Sequence, residues 1–167
     1  MKSIIIESSL SEIAFMLVFI ILITNVIIFK QKNDIEKDLE IVISIPGEFL
    51  FDTGEAELKE KAKIQLEDIS KTIIDTINTF DIEKKWSIRI EGHTDDRPIC
   101  NAKFKSNWEL STARAISVVR FYIDRNIFSP DSLQAMGYGD TKPIVPNNSI
   151  INMQKNRRVE IRLTKAD

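Results

Sequence analysis

The longest regular signal in the chain lies within residues 56–80, where Leu58, Ala62, Leu66, Ile69, Ile73, Ile77 and Phe80 recur at steps of three and four. That spacing gathers apolar side chains on one face of an α-helix and leaves Glu57, Lys61, Glu67 and Lys71 on a wet face. Such a helix needs an apolar layer to pack against. The β-branched run 41–45 (IVISI), halted by Pro46 and Gly47, reads as a strand, as does the alternating run 86–91 (WSIRIE). A second helix is predicted over 107–123, with Leu110, Ala113, Val118 and Phe121 among its apolar positions. Strands follow over 132–136 and 158–163. Residues 49–51 read as a short apolar turn or strand, Gly137 and Gly139 as a turn, and 143–148 as a loop. The order β-α-β-α-β-β predicts an α+β, two-layer domain with two helices on one face of a mixed four-stranded sheet.

Ahead of this domain, residues 13–29 (IAFMLVFIILITNVIIF) carry no charge. Seventeen such residues stand at the short end of what crosses a hydrocarbon core. The run is long for a signal-peptide core and no small-residue cleavage site follows it. No cysteine near the N-terminus offers a lipid attachment point, so a retained single transmembrane helix is expected. The predicted organisation is a short segment at 1–12, the membrane helix at 13–29, a linker at 30–39 and the domain at 40–167. Fully extended, the linker reaches only about 35 Å. Lys30 and Lys32 follow the span and only Lys2 precedes it, so charge bias alone leans toward a cytoplasmic C-terminus.

Glu12 stands immediately before the apolar run and admits two readings. With Ser9 it fits a capping box, its charge suited to the helix N-terminus. At the membrane edge it also fits an ion-carrying carboxylate.

Several function classes fall away. A formal net charge of -2 gives no global basic field for nucleic acid. The single cysteine, Cys100, permits no intrachain disulfide. There is no phosphate-binding glycine loop and no nucleophile elbow, so neither an enzyme nor a cofactor is expected. Glu91, His93 and Asp95 alternate along a strand end, but no second His or Cys completes a metal set, and none is expected. His93 reads as a strand-end histidine held by hydrogen bonds.

What remains is a charge pair. Asp95 lies where the second strand ends, and Arg114 in the first turns of the second helix. A polar loop with Asn101, Ser106 and Asn107 joins them. Such a pair suits a zwitterion, because the carboxylate takes an ammonium and the guanidinium grips a carboxylate. It equally suits a salt bridge that closes the loop.

Five segments stand in a telling sequence: Phe51-Asp52-Thr53-Gly54; Gly92-His93-Thr94-Asp95; residues 107–115 (NWELSTARA); Gly137-Tyr138-Gly139; and Asn156-Arg157-Arg158-Val159-Glu160. Over about residues 40 to 165 the chain resembles OmpA-like peptidoglycan-binding domains of the MotB-like kind, the B-type membrane subunits of ion-driven stators. The loop Arg97-Pro98-Ile99 with the run 104–108 (FKSNW) resembles the MotB-like variant. The resemblance implies a non-covalent site for the peptide stem of peptidoglycan, with Asp95 and Arg114 gripping the zwitterionic free end of diaminopimelate. It implies further ligand-side positions at Asn107, Leu110 and Asn156, and a groove border at Asp52 and Thr53. Arg157 and Arg158 match the family's paired arginines, one of them structural, and Arg157 joins the implied site.

The resemblance also places the C-terminal domain outside the cytoplasmic (inner) membrane of a bacterium, against the charge bias. It gives Glu12 the ion-carrying role, with Glu where Asp is usual and a linker shorter than the family's. Implied partners are peptidoglycan, a MotA-like membrane protein and a second copy of the chain, in a flagellar or Zorya-like defence motor. A passive tether of a membrane complex to the cell wall is the alternative.

Overall fold

The computed structural model describes residues 23–24, 40–80 and 85–165. The expected membrane span, Glu12 and the linker lie outside the described residues, apart from Ile23 and Thr24. No helix among the described residues is long and apolar enough to cross a membrane.

From Glu40 onward the elements are β1 (Glu40–Pro46), α1 (Gly47–Leu50), α2 (Glu60–Phe80), β2 (Trp86–Gly92), α3 (Asn107–Asp124), β3 (Leu133–Gly137), α4 (Ile150–Asn156) and β4 (Arg158–Lys165). A 3-10 turn, Pro130–Ser132, leads into β3. The strands form one mixed sheet in the order β1-β4-β2-β3. β4 runs antiparallel to both β1 and β2, while β3 runs parallel to β2. The expected α+β architecture and mixed four-stranded sheet are therefore present. A parallel pair needs a crossover, and α3 supplies it between β2 and β3.

Alternation decides which sheet face is dry. Ile88 and Ile90 of β2 and Val159, Ile161 and Leu163 of β4 are buried, as is Ile45 of β1. Helices α2 and α3 add Ala62, Leu66 and Ile73, and Leu110, Ala115, Val118, Phe121 and Tyr122. The intervening β2 and β4 positions, Arg89, Glu91, Arg158, Glu160 and Arg162, carry charge on the other face.

Helix α3 sits directly on two glycines. A Cβ at Gly92 would stand 2.1 Å from the Ser111 carbonyl oxygen, and one at Gly137 would stand 2.1 Å from Thr112 Oγ1. Only a residue without Cβ lets the helix backbone approach this closely. The contact fixes the start of α3 beside the C-terminal end of β2, which is where the site forms.

Two boundaries differ from expectation. Helix α2 begins at Glu60 rather than Ala56, because the preceding residues are engaged elsewhere. Lys59 N donates to Leu50 O at 3.0 Å, and Phe51 bridges Leu58 in an antiparallel pair. Between them the chain turns at Gly54, whose φ of 70° is in the left-handed region. Residues 150–156, to which the sequence pattern assigns no element, form the seven-residue helix α4, with Ser149 Oγ accepting from Asn152 N at 3.1 Å.

Candidate functional site

The C-terminal end of β2, the start of α3, the turn after β1 and the start of β4 enclose a cleft of about 480 Å³. Asp52, Thr53, Asp95, Asn107, Leu110, Arg114 and Arg157 all line it. Of the site residues read from the domain's sequence, only Asn156 is elsewhere. Its amide is buried, accepting from Ile144 N and Val145 N at 2.9 and 3.2 Å and donating to Val145 O and Asn147 Oδ1 at 2.8 and 2.7 Å. Asn156 shapes the loop before α4 and is not a wall of the cleft.

Asp95 is 4% exposed, and its carboxylate is fully engaged. Oδ1 accepts from Arg97 N at 3.2 Å. Oδ2 accepts from Arg97 Nε and Nη2 at 3.1 and 2.8 Å and from Arg157 Nη1 at 2.5 Å. Burial alone would raise the carboxyl's pKa, but these bonds outweigh it and hold the group below the usual carboxylate range. Asn107 Nδ2 braces the loop by donating to the carbonyls of Asp95 and Arg97 at 3.3 and 3.1 Å. Ser106 caps α3, its hydroxyl accepting from Glu109 N at 3.2 Å.

Arg114 is 5% exposed and does not bond to Asp95; the salt-bridge reading of the pair is corrected. Its Nε donates to Glu55 O at 2.8 Å and its Nη2 to Asp52 O at 3.2 Å. The guanidinium carbon lies 5.1 Å from the centre of the Phe51 ring. Burial, with the nearby Arg157 charge, lowers the Arg114 pKa to about 10 against a smaller opposing pull from Asp95. The group stays cationic at neutral pH, held by neutral carbonyls. A buried cation without a carboxylate, set in a cleft wall, is suited to an incoming anion.

Of the two adjacent arginines, Arg157 faces the cleft and Arg158 is structural. Arg158 Nε donates to Glu160 Oε1 at 2.6 Å and Nη2 to Lys142 O at 3.2 Å. Sequence reasoning did not assign three charged cleft residues: Glu48, Lys59 and, in direct contact with Asp95, Arg97. A signal was present, since Asp followed two residues later by a backbone donor ahead of Pro98 is an Asx-turn pattern.

On the charged sheet face, Glu91, His93 and Glu160, all buried, come within 4.8 Å of one another, with Glu160 in place of the Asp95 considered from alternation. All four carboxylate oxygens accept from guanidiniums. Arg89 and Arg162 serve Glu91 at 2.6 and 2.9 Å. Arg158 and Arg162 serve Glu160 at 2.6 and 2.5 Å. Glu40 joins them, pairing with Arg89 and Arg162 at 3.5 and 3.1 Å, so three guanidiniums meet three carboxylates with no negative charge left over for a cation.

His93 is 2% exposed, and neither ring nitrogen has a hydrogen-bond partner among the described residues. The ring stacks on Tyr138 at 5.3 Å, and Nε2 is 3.8 Å from Glu91 Oε2. Stacking, not the expected hydrogen bonding, holds it. Burial and then the Arg158 charge lower its pKa to about 4.

A mixed sheet carrying a charged cleft at one end places this domain among the α+β domains. Residues 50–157 match the OmpA family, and the chain belongs to that family. It is 33% identical over 140 residues to motility protein B of Bacillus subtilis, covering 80% of this chain and 51% of that protein. It superposes on the periplasmic domain of Helicobacter pylori MotB with a TM-score of 0.67 and 31% identity, over 78% of this chain and 76% of that one. It superposes on the cell wall anchor of the T6SS from Pseudomonas aeruginosa with a TM-score of 0.64 and 30% identity, over 76% and 82% of the two chains. The chain spans about half the length of the curated relatives it matches.

Proposed function

We propose that the cleft binds the peptide stem of peptidoglycan non-covalently, taking the free end of diaminopimelate between Asp95 and Arg114. One observation carries the reading: a carboxylate and an unpaired guanidinium line the same cleft without neutralising each other. An amino acid's free end presents the complementary ammonium and carboxylate. Asp52, Thr53, Asn107, Leu110 and Arg157 complete the walls. Likeness to a periplasmic domain and to a cell wall anchor supports a location facing the wall.

In this reading the chain is a non-enzymatic, single-pass protein of the bacterial cytoplasmic membrane. Residues 13–29 span the bilayer, 30–39 link, and the domain from residue 40 lies outside the membrane. Likeness to motility protein B supports a B-type stator subunit, working as a homodimer beside a MotA-like partner in a flagellar or Zorya-like motor. Glu12 carries the ion. Likeness to the cell wall anchor favours a second reading, a passive tether without ion flow.

Co-sedimentation of the detergent-solubilised chain with purified sacculi tests the cleft. The native chain pellets, and Asp95→Ala and Arg114→Ala stay in solution while keeping native circular dichroism. Variants that pellet like the native chain contradict the reading. Glu12→Gln then separates motor from tether: a motor loses activity with wall binding intact, and a tether loses nothing.

A further inference from the structure

Arg97 stands over the carboxylate that the ligand's ammonium needs. It bonds both Asp95 oxygens, through Nε and Nη2 to Oδ2 and through its backbone N to Oδ1. Its side chain is 61% exposed, whereas that of Asp95 beneath it is 6% exposed.

The two arginines on Asp95 are not equivalent. Arg157 is tied down by its backbone: its N donates to Met153 O at 3.1 Å and its carbonyl accepts from Gly47 N at 2.8 Å. Arg97 reaches in from a surface loop, and its side chain is 61% exposed, so it moves into solvent by side-chain rotation alone. Asp95 then keeps Arg157 and the Arg97 backbone N, and the ligand's ammonium replaces the guanidinium that left. Asn107 meanwhile holds the backbone of both residues in place.

Charge balance says where the freed guanidinium goes. Glu48, Asp52 and Asp95 line the cleft against Lys59, Arg97, Arg114 and Arg157, one more cation than anions. A simple zwitterion leaves that excess unmatched, whereas a ligand with one ammonium and two carboxylates cancels it.

Resting on the stem-peptide reading of the cleft, we propose that Arg97 is a side-chain latch. It releases Asp95 to the ligand's ammonium and then grips a second carboxylate of the same ligand. The cleft thereby selects stem peptides with free carboxylates over amidated ones. Arg114 takes the carboxylate at the free end of diaminopimelate, and Arg97 the second, which lies elsewhere on the stem.

The test uses the full chain in detergent and the synthetic tripeptide L-alanyl-γ-D-glutamyl-meso-diaminopimelate. Two singly amidated forms accompany it, one at the isoglutamyl carboxylate and one at the chain-terminal carboxylate. Native protein binds at least one amide roughly tenfold more weakly than the free acid, the worth of one charge-assisted contact. Arg97→Ala binds the free acid roughly tenfold more weakly than the native chain does and no longer distinguishes it from that amide. Arg97→Lys keeps part of the discrimination. Equal binding of all three peptides by the native chain overturns the latch, as does undiminished discrimination by Arg97→Ala. Asp95→Ala, run alongside, separates the two failures. If native protein binds and Asp95→Ala does not, the cleft reading stands and only the latch is decided. If native protein binds none of the peptides, both fall.

Discussion

Asp95 and Arg114 line one cleft without bonding to each other: Asp95 is held by Arg97 and Arg157, and Arg114 by the carbonyls of Glu55 and Asp52. Arg114 and the backbone under Asp95 are therefore fixed before any ligand arrives, which confines the reorganisation that binding requires to the Arg97 side chain.

Arg114→Lys keeps the charge but loses the planar fork that reaches both carbonyls. Sacculus binding is expected to fall by roughly tenfold or more. Loss of these part-buried hydrogen bonds is expected to cost about 1 kcal/mol, measured by urea unfolding. Unchanged stability with lost binding would show that the lysine ammonium still satisfies the carbonyls.

Asn107→Ala removes the brace between the start of α3 and the Asp95 loop. The expected stability loss is about 1 kcal/mol. Sacculus binding is expected to weaken although no charge has changed. Binding equal to native would mean that Arg97 and Arg157 position Asp95 without the brace.

Gly92→Ala drives a methyl group into the Ser111 carbonyl, a backbone atom that moves only with the whole helix. The expected cost is roughly 3 kcal/mol or more, read as a large fall in thermal midpoint. Gly47→Ala is the milder comparison, its Cβ meeting the Arg157 carbonyl at 3.2 Å.

Acid is expected to destabilise the domain from about pH 6.5 downward. The His93 pKa is near 4 in the fold, so the unfolded chain binds the proton first as pH drops. Stability present above pH 6.5 is lost progressively toward pH 4, on the order of 3 kcal/mol for this residue. Asp95 and Glu160 are held below their ordinary values despite burial, so they add loss of the same sign at still lower pH. Urea unfolding at pH 7 and pH 5 checks the slope, and His93→Gln flattens its upper part. A slope that survives that substitution would assign the effect to other groups.

The fold was legible where periodicity is long and one-sided. The stripe from Ala62 to Ile73 marks the buried face of α2, and the alternation in β2 and β4 sorts apolar from charged positions. The start of α2 was not legible, because Lys59 N bonds to Leu50 O across a turn that no local propensity reports. Helix α4 is too short to show a period. The strand–loop–helix pattern put Asp95 and Arg114 at one cleft, and the geometry agrees. That Arg157 also takes Asp95 was out of reach, since it lies 62 residues away in the chain and reaches it only through the packing of β4. Asn156 carried a motif match, but its amide turns toward the 144–147 loop.

The central claim is that the cleft grips an ammonium and a carboxylate together, and competition for sacculi tests it most directly. Native chain bound to sacculi is washed with free meso-diaminopimelate, with pimelate, which lacks ammonium groups, or with cadaverine, which lacks carboxylates. The account predicts that diaminopimelate releases the protein and that the other two do not. Retention in diaminopimelate, or equal release by pimelate, would contradict it.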